Sequence, residues 1–360
     1  MKKVIKEAPE EESVPKSPYN PEDEELQKIL MGLKTNIKII GCGGGGCNTI
    51  NRMAETGVIG AELIAANTDA QHLLIVKAHR KLILGRRVTR GLGAGAIPQV
   101  GEEAAREAED ELKALIAGAD IVFITCGLGG GTGTGASPFV AQLAKESGAL
   151  TVAICTYPFK AEGLVRSENA EWGLERLRNV ADTVIVIPND KLLQLVPKLA
   201  LNSAFKVADE VLVRAIKGIA EVVTKPGLVN LDFNDIKTVM KSGGVAMIGL
   251  GEGEDDDRAM VAVNQAVNSP LIDVDISNAS AALVNVTGGL DMTIKEAEEV
   301  AEVIQQKINP NARIIWGAAV DETLENTVRV MVIITGVKSK HILGPSEPKR
   351  EKELGLEFIR

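Results

Sequence analysis

The chain has 360 residues, of which 45% are hydrophobic, 25% charged and 3% aromatic, and its formal net charge is −9. Its length predicts two domains of ordinary size. The acidic balance and the few aromatic side chains argue against a nucleic acid as partner, because nucleic acids attract basic surfaces and stack on aromatic rings. The sequence has no apolar run of about 18 residues and no signal-peptide pattern, so we expect a cytoplasmic protein without direct membrane insertion.

The first predicted structural domain follows a charged, proline-containing extension over residues 1–36. Short apolar runs then alternate with helical stretches, and such near-continuous apolar strands indicate a parallel sheet that is covered on both faces. We therefore predict an α/β domain over 37–202, with a doubly wound, mostly parallel sheet. Its predicted strands are 37–41, 62–67, 81–85, 120–126, 150–155 and 182–188, with helices that include 102–118 and 138–148.

A long helix connects this domain to the rest of the chain. Apolar positions recur at helical spacing over 203–225, and Pro226-Gly227 then predicts the end of the helix. Strand-like runs such as VAMIGLGEG and VRVMVIITGV follow and predict a smaller α+β domain over 226–338. Residues 339–360 form a charged tail that we expect to be flexible. Its last stretch, LGLEFIR, is compatible with a frayed end or with a docking peptide for a partner.

Three glycine-rich segments each follow a predicted strand: GCGGGGCN at 41–48, GLGAGA at 91–96 and GLGGGTGTG at 127–135. The carboxyl ends of parallel strands meet at one edge of a sheet, so we expect these segments to share one pocket. Backbone N–H groups at helix N-termini bind anions, and three such turns suit a run of phosphates. The first segment alone also fits a dinucleotide-binding fingerprint, with Asp69 after the next strand, and an NAD(P)-binding oxidoreductase is the alternative.

Several segments resemble those of one protein family. GGGTGTG at 129–135 is the signature of the tubulin/FtsZ superfamily, and GCGGGGCNTINRM, AANTDAQ, GLGAGAIPQVG, TYPFKAEGLVRSENA and NLDFNDIKTVM are similar to its successive nucleotide loops. The similarity covers roughly 36–338. It implies a GTPase that binds GTP and GDP and polymerises head to tail into filaments, forming the cytokinetic ring of prokaryotic cell division.

The resemblance also implies which residues contact the nucleotide. The phosphates and the sugar are expected to lie against Gly44, Gly45, Gly46, Cys47 and Asn48, and the phosphates against Gly131, Thr132 and Gly133, while the GLGAGA loop senses the γ-phosphate. Glu162 and Arg166 match positions near the ribose and phosphates. Positions at the base are matched by Asn189, Phe205 and Asp209, and Phe205 is expected to stack on the base. Two structural alternatives stay open: Phe205 as a core residue, and Glu162–Arg166 as an ordinary ion pair on a helix surface.

Hydrolysis is expected to depend on Asn230, Asp232 and Asp235. The resemblance implies that their loop enters the nucleotide pocket of the next subunit, where the acidic residues orient the attacking water. Turn and N-cap chemistry is the alternative, because Asp235 precedes the predicted helix IKTVM. We expect Mg²⁺ to be held by phosphates and water, with no metal site formed by the protein alone.

The expected partners follow from the same resemblance. They are further copies of this chain, and a division adaptor or membrane-anchor protein that binds the C-terminal tail at the mid-cell division site. Two other functions stay open: a filament that binds GTP without hydrolysing it, and a tubulin-like filament for DNA segregation.

Overall fold

The apolar runs of the first half of the chain form six parallel strands in the order β3-β2-β1-β4-β5-β6. In this computed structural model, the described residues are 35–58, 60–195, 201–224, 233–241, 244–272 and 276–337, and those from Asn36 onward belong to one compact unit. The strands are β1 Ile37–Cys42, β2 Ala61–Asn67, β3 Arg80–Ile83, β4 Ile121–Gly127, β5 Leu150–Tyr157 and β6 Thr183–Pro188. The strand order reverses between β1 and β4, and ligands of doubly wound sheets bind at such a point.

Four further strands extend this sheet to ten strands among the described residues: β7 Gly244–Glu254, β8 Ala281–Gly288, β9 Arg313–Val320 and β10 Thr327–Thr335. β7 joins β6 in parallel over three residue pairs, and β10 then lies antiparallel between β7 and β8. β9 pairs in parallel with β8. The sheet is therefore mixed but mostly parallel, and the α/β fold class is confirmed.

Helices cover both faces of the sheet, and buried residues form one apolar cluster on each face. This explains why the strands are apolar throughout rather than alternating. The described helices are α1 Gly43–Thr56, α2 Ala70–Ile75, α3 Pro98–Glu107, α4 Glu109–Ile116, α5 Thr132–Glu146, α6 Leu164–Val180, α7 Asn189–Leu195, α8 Leu201–Thr224, α9 Phe233–Met240, α10 Arg258–Val267 and α11 Ile294–Lys307.

The long helix α8 runs from one edge of the parallel sheet to the other. Phe205 lies near the carboxyl ends of the strands, as the site below shows. At the other end of the helix, a Cβ atom added to Gly60, directly before β2, would lie 3.1 Å from Cγ2 of Thr224. At 1.5 Å per residue, the helix spans about 28 Å between Phe205 and Thr224. α9 is anchored at the same far edge, because the Thr183 hydroxyl at the start of β6 donates a hydrogen bond to the carbonyl of Met240.

Two predicted helices differ in detail from the structure. The predicted helix 102–118 is two helices, α3 and α4, which meet at Ala108 with φ −100° and ψ 24°. No glycine or proline marks this break, and apolar residues are buried on both sides of it, so the helical spacing continues through it. Asp235 was expected just before its helix but lies in the first turn of α9.

Several predictions concern residues outside the described part of the chain. These are the N-terminal extension, the Pro226-Gly227 helix end and the C-terminal tail, and the domain boundaries stay predictions. Within the described residues, no helix is both long enough and apolar enough to cross a bilayer.

Candidate nucleotide site

A cleft of about 610 Å³ lies at the carboxyl edge of the parallel strands, where the strand order reverses. Gly44 comes from the segment after β1, Gly131 from the segment after β4, and Gly93 from the segment after β3. The structure therefore brings the three glycine-rich segments to one cleft, as the positions of their strands predict.

Close backbone packing explains the glycines of the segments after β1 and β4. Gly43 has φ +72°, and a Cβ atom on it would lie 2.6 Å from the backbone nitrogen of Gly133. By contrast, a Cβ atom on Gly44 or Gly130 would meet no atom within 4 Å, although both residues line the cleft. The loops thus pack against each other and leave open space on the ligand side.

The N-termini of α1 and α5 provide hydrogen-bond donors at this cleft. Neither helix has a side-chain cap, so its first backbone N–H groups have no intrahelical acceptor. The helix dipoles place partial positive charge at the same two points. Uncapped N-termini beside open glycine loops form an anion-binding site that suits phosphates.

Two buried threonines, Thr68 and Thr132, join the segments after β3 and β4. The hydroxyl oxygens of Thr68 and Thr132 lie 2.6 Å apart, and the carbonyl of Thr68 accepts a hydrogen bond from the Gly93 N–H at 3.2 Å. The Thr134 hydroxyl accepts another from the Gly129 N–H at 2.9 Å. The bonds of Thr68 hold the segments after β3 and β4 together, and the Gly129–Thr134 bond fixes the turn within the segment after β4.

The segment after β3 is held in an unusual backbone conformation. Arg90 and Ala96 have backbone φ angles of 53° and 58°, and residues other than glycine rarely adopt such positive values. The Asn169 amide donates to the carbonyls of Ala96 and Gly129, at 3.0 and 3.3 Å. This contact couples the segment after β3 to the segment after β4 and stabilises the conformation of the segment after β3.

A buried polar group without a hydrogen-bond partner among the described residues also lines the cleft. Asn189 lines the cleft and is only 4% exposed, and its Oδ1 has no hydrogen-bond partner among the described residues. Leaving a buried carbonyl oxygen unpaired costs free energy. A ligand with N–H groups at this position would satisfy it.

The two other residues predicted at the base, Phe205 and Asp209, line the same cleft as Asn189. Phe205 is 39% exposed, and its ring meets that of Phe159 edge to face at 5.2 Å. Phe205 is therefore not a core residue, and its exposed face is free for stacking. Burial raises the pKa of the Asp209 carboxyl from 3.8 to about 6, while the charge of nearby Arg52 opposes the shift.

Glu162 and Arg166 form an ion pair at 2.6 Å and line the cleft together. The second oxygen of Glu162 accepts a hydrogen bond from the Phe159 N–H at 2.9 Å. The surface ion pair that was the structural alternative is thus present, and it lies at the predicted nucleotide position as well.

Two predicted contact residues do not line the cleft. A Cβ atom on Gly46 would lie 2.3 Å from the carbonyl oxygen of Thr125 in β4, and Cys47 is fully buried. Burial raises the pKa of the Cys47 thiol to about 12, so it stays neutral. Because α1 begins at Gly43, its helical period turns Gly46 and Cys47 toward the sheet and Gly44, Gly45 and Asn48 toward the cleft.

The structure adds cleft residues that the sequence reading did not select. Asn67 and Thr68 belong to the quoted AANTDAQ segment, His72 follows it, and Thr156 is the penultimate residue of β5. The positions of Asn67, Thr68 and Thr156 at the carboxyl ends of β2 and β5 were a usable signal, because these ends face the same edge as those of β1 and β4.

Of the three predicted catalytic residues, the structure describes Asp235. Asp235 is exposed on α9, which packs against β8 and β9, and it does not line the cleft. Asn230 and Asp232 lie outside the described residues. Within the part of the chain that the structure describes, no group of three or more His, Cys, Asp or Glu side chains could hold a metal ion.

Glycine loops, uncapped helix N-termini and an unpaired amide at one sheet edge together define a nucleotide-binding protein. Comparison with known families identifies which one. A family model for the tubulin/FtsZ family, GTPase domain, matches residues 36–197, and one for the FtsZ family, C-terminal domain, matches 244–338. The chain belongs to the FtsZ family and is a GTPase.

Individual relatives agree with this assignment. The chain is 59% identical to cell division protein FtsZ 1 of Archaeoglobus fulgidus over the full length of both. It is 61% identical to cell division protein FtsZ of Haloferax mediterranei, over 94% of this chain and 90% of that one. The solved structure of an empty FtsZ dimer from M. jannaschii has a TM-score of 0.85 and 52% identity, and the match covers 92% of this chain and all of that one.

Family membership does not favour the oxidoreductase alternative. The Asp69 carboxylate, which suggested a ribose contact in a dinucleotide site, caps α2 by accepting from the N–H groups of Gln71 and His72 at 2.9 and 3.1 Å. This cap explains the acidic residue after β2 without a nicotinamide cofactor.

Proposed function

We propose that this protein binds GTP in the cleft, hydrolyses it where two copies meet head to tail, and forms the filaments of the cytokinetic ring in prokaryotic cell division. The observation that carries this proposal is a separation: the cleft lies at one edge of the parallel sheet, and the helix with Asp235 is anchored at the other. The relatives named above as cell division proteins, and the solved dimer, support the same function.

The separation favours hydrolysis between two chains over hydrolysis within one. α8 alone spans about 28 Å between the cleft and the far edge, and general-base chemistry needs contact within about 3 Å or through one water. Asp235 therefore cannot act in the cleft of its own chain. A second copy stacked in the same orientation brings its α9 to the cleft, and repetition of this contact gives an open filament.

The two edges of the parallel sheet supply complementary chemical groups. The cleft offers hydrogen-bond donors to the phosphates, namely the helix N-termini and the Thr132 hydroxyl, but phosphoryl transfer also needs a group that aligns water with the γ-phosphate. Asp235 of the following copy supplies a carboxylate for this, together with Asn230 and Asp232. At the base, the free Oδ1 of Asn189 and the Asp209 carboxylate accept from the N–H groups of guanine.

The finer parts of the proposal concern the metal, the partner and the domains. Mg²⁺ would bind mainly through phosphate oxygens and water, because the cleft offers the Thr68 and Thr132 hydroxyls and the Asp69 carboxylate rather than a cage of acidic ligands. A division adaptor or membrane anchor at mid-cell would bind the tail at 339–360. The GTP-binding domain would span 37–202, with 203–225 as the connecting helix and 226–338 as the smaller domain.

The GTPase rate per molecule, measured against protein concentration with light scattering in parallel, tests the proposal. A site shared by two copies predicts a rate near zero below a threshold and a rise above it, together with scattering. A rate per molecule that is independent of concentration would show that one chain is sufficient.

A further inference from the structure

His72 lines the cleft, and both of its ring nitrogens are engaged. Its Nδ1 lies 3.1 Å from Nδ2 of Asn67, and its Nε2 lies 2.9 Å from Oδ1 of Asn48. All three residues line the cleft, and they come from α2, the end of β2 and α1. The imidazole thus bridges two asparagines of different elements.

The orientation of the Asn67 amide is fixed by the backbone. Its Oδ1 accepts a hydrogen bond from the Thr68 N–H at 2.9 Å, and a backbone N–H can only donate. Asn67 is only 3% exposed, so its amide group cannot turn to water. Its Nδ2, a donor, is therefore the atom that faces His72.

The orientation of the Asn67 amide determines the tautomer of His72, and the tautomer determines the orientation of the Asn48 amide. Facing a donor, Nδ1 of His72 must accept, so the ring proton is on Nε2. The Nε2–H then donates to Oδ1 of Asn48, and the Nδ2 group of Asn48 is left as the free end of that amide. Asn48 is exposed and lines the cleft. Without the contact to His72, its amide would therefore rotate freely and present either its NH₂ group or its carbonyl oxygen to a ligand.

We propose that His72 is a positioning residue that sets the polarity of Asn48, so that the Asn48 N–H donors face the phosphate or ribose oxygens of the bound nucleotide. This inference rests on the proposed binding of GTP in the cleft. Turned over, the amide would present a carbonyl oxygen to an anionic ligand and would repel it. The relay runs from the backbone N–H of Thr68 through Asn67 and His72 to Asn48.

The helix that carries His72 does not need this side chain for its own stability. Asp69 already caps α2, and Leu73, which is 7% exposed, anchors it in the core. The ring of His72 is half-buried, and its two hydrogen bonds are made to side chains of the cleft rather than to α2.

A double-mutant cycle tests the relay. The affinity for a fluorescent GDP derivative is measured at equilibrium for the wild type, His72→Ala, Asn48→Ala and the double variant. We expect His72→Ala and Asn48→Ala each to weaken binding about ten-fold, the effect of losing one hydrogen bond to a charged group. Because His72 acts through Asn48, the double variant should bind like Asn48→Ala alone.

Rescue by glutamine separates this role from packing. The Gln side chain carries an acceptor and a donor on one amide, as neutral histidine does on one ring, so His72→Gln should restore most of the affinity. The matched control is His79→Ala: His79 accepts from the Leu63 N–H at 2.8 Å outside the cleft, so its loss should lower the melting temperature and leave affinity unchanged.

The outcomes separate this inference from the proposed function. Additive losses in the cycle, or a folded His72→Ala protein that binds like the wild type, would overturn the role of His72 alone. A wild-type protein that binds no guanine nucleotide would overturn the proposed function.

Discussion

The two edges of the parallel sheet carry opposite kinds of chemistry. The carboxyl edge has uncapped helix N-termini, open glycine loops and an amide oxygen without a partner. At the other edge, the Thr183 hydroxyl and the Met240 carbonyl satisfy each other, and the exposed Asp235 is carried on α9. Donors for phosphate lie at one end and the proposed carboxylate at the other. The proposed function therefore gives each copy two half-sites that it cannot join by itself.

Blocking the cleft should give the largest effect. Gly44→Glu places a carboxylate where we propose that the phosphates bind, and like charges brought together cost several kcal/mol, so GTP affinity should fall at least about 100-fold. The fold should persist, because a Cβ atom on Gly44 meets no neighbour and an acidic residue favours the first turn of a helix. Gly44→Gln, of equal size and no charge, is the control, and calorimetry of GTP binding is the measurement. Equal losses in both variants would remove charge as the cause.

Removing the carboxylate at the other edge should affect turnover and leave binding intact. We expect Asp235→Ala to lower the GTPase rate about 100-fold, the usual contribution of a group that handles the attacking water, while GTP affinity stays within two-fold. Asp256→Ala, at another exposed carboxylate on the turn before α10, should retain the full rate. Wild-type hydrolysis by Asp235→Ala would exclude this residue from the mechanism.

Asp209 should oppose stability and favour binding. Its pKa of about 6 lies above the ordinary value of 3.8, so the unliganded protein loses stability as the pH rises from about 4 to about 6 and does not regain it above. Asp209→Asn should therefore raise the melting temperature at pH 7.5 by roughly 2 °C. GTP affinity should fall about ten-fold, because the amide offers guanine one acceptor in place of two. In the wild type, affinity should also fall as the pH drops through 6.

An unchanged affinity at pH 5 in the wild type would contradict the role of an ionised Asp209. A melting temperature that Asp209→Asn leaves unchanged would show that the burial of its charge does not affect stability.

The smallest effect is expected at Cys47. This residue was predicted to contact the nucleotide, but its side chain is fully buried and its thiol lies 3.7 Å from the carbonyls of Gly41 and Ala66. Cys47→Ala should cost about 1 kcal/mol of stability and change GTP affinity by less than two-fold, as measured by denaturant unfolding and calorimetry. A large loss of GTP affinity without a loss of stability would show that Cys47 does contribute to nucleotide binding.

The sequence predicted the cleft better than it predicted which residues face it. Strand positions and glycine runs were sufficient to place three loops at one edge, because parallel strands share a direction. They could not show that α1 begins as early as Gly43, and this start turns Gly46 and Cys47 inward. The relay through His72 could not be predicted from the sequence either, because it depends on the orientation of the Asn67 amide, which only the contact with the Thr68 N–H reveals. The break between α3 and α4 at Ala108 could not be predicted, because no glycine or proline marks it in the sequence.

Mixing the two defective variants tests the separation of the half-sites most directly. Gly44→Glu keeps the carboxylate edge and loses the cleft, and Asp235→Ala keeps the cleft and loses the carboxylate. Each alone should be nearly inactive. In a mixture, GTP bound to Asp235→Ala meets Asp235 of a neighbouring Gly44→Glu copy, and the GTPase rate should rise well above the sum of the two separate rates. A mixture that stays at that sum, while each variant still associates with wild-type protein, would contradict a site built from two copies.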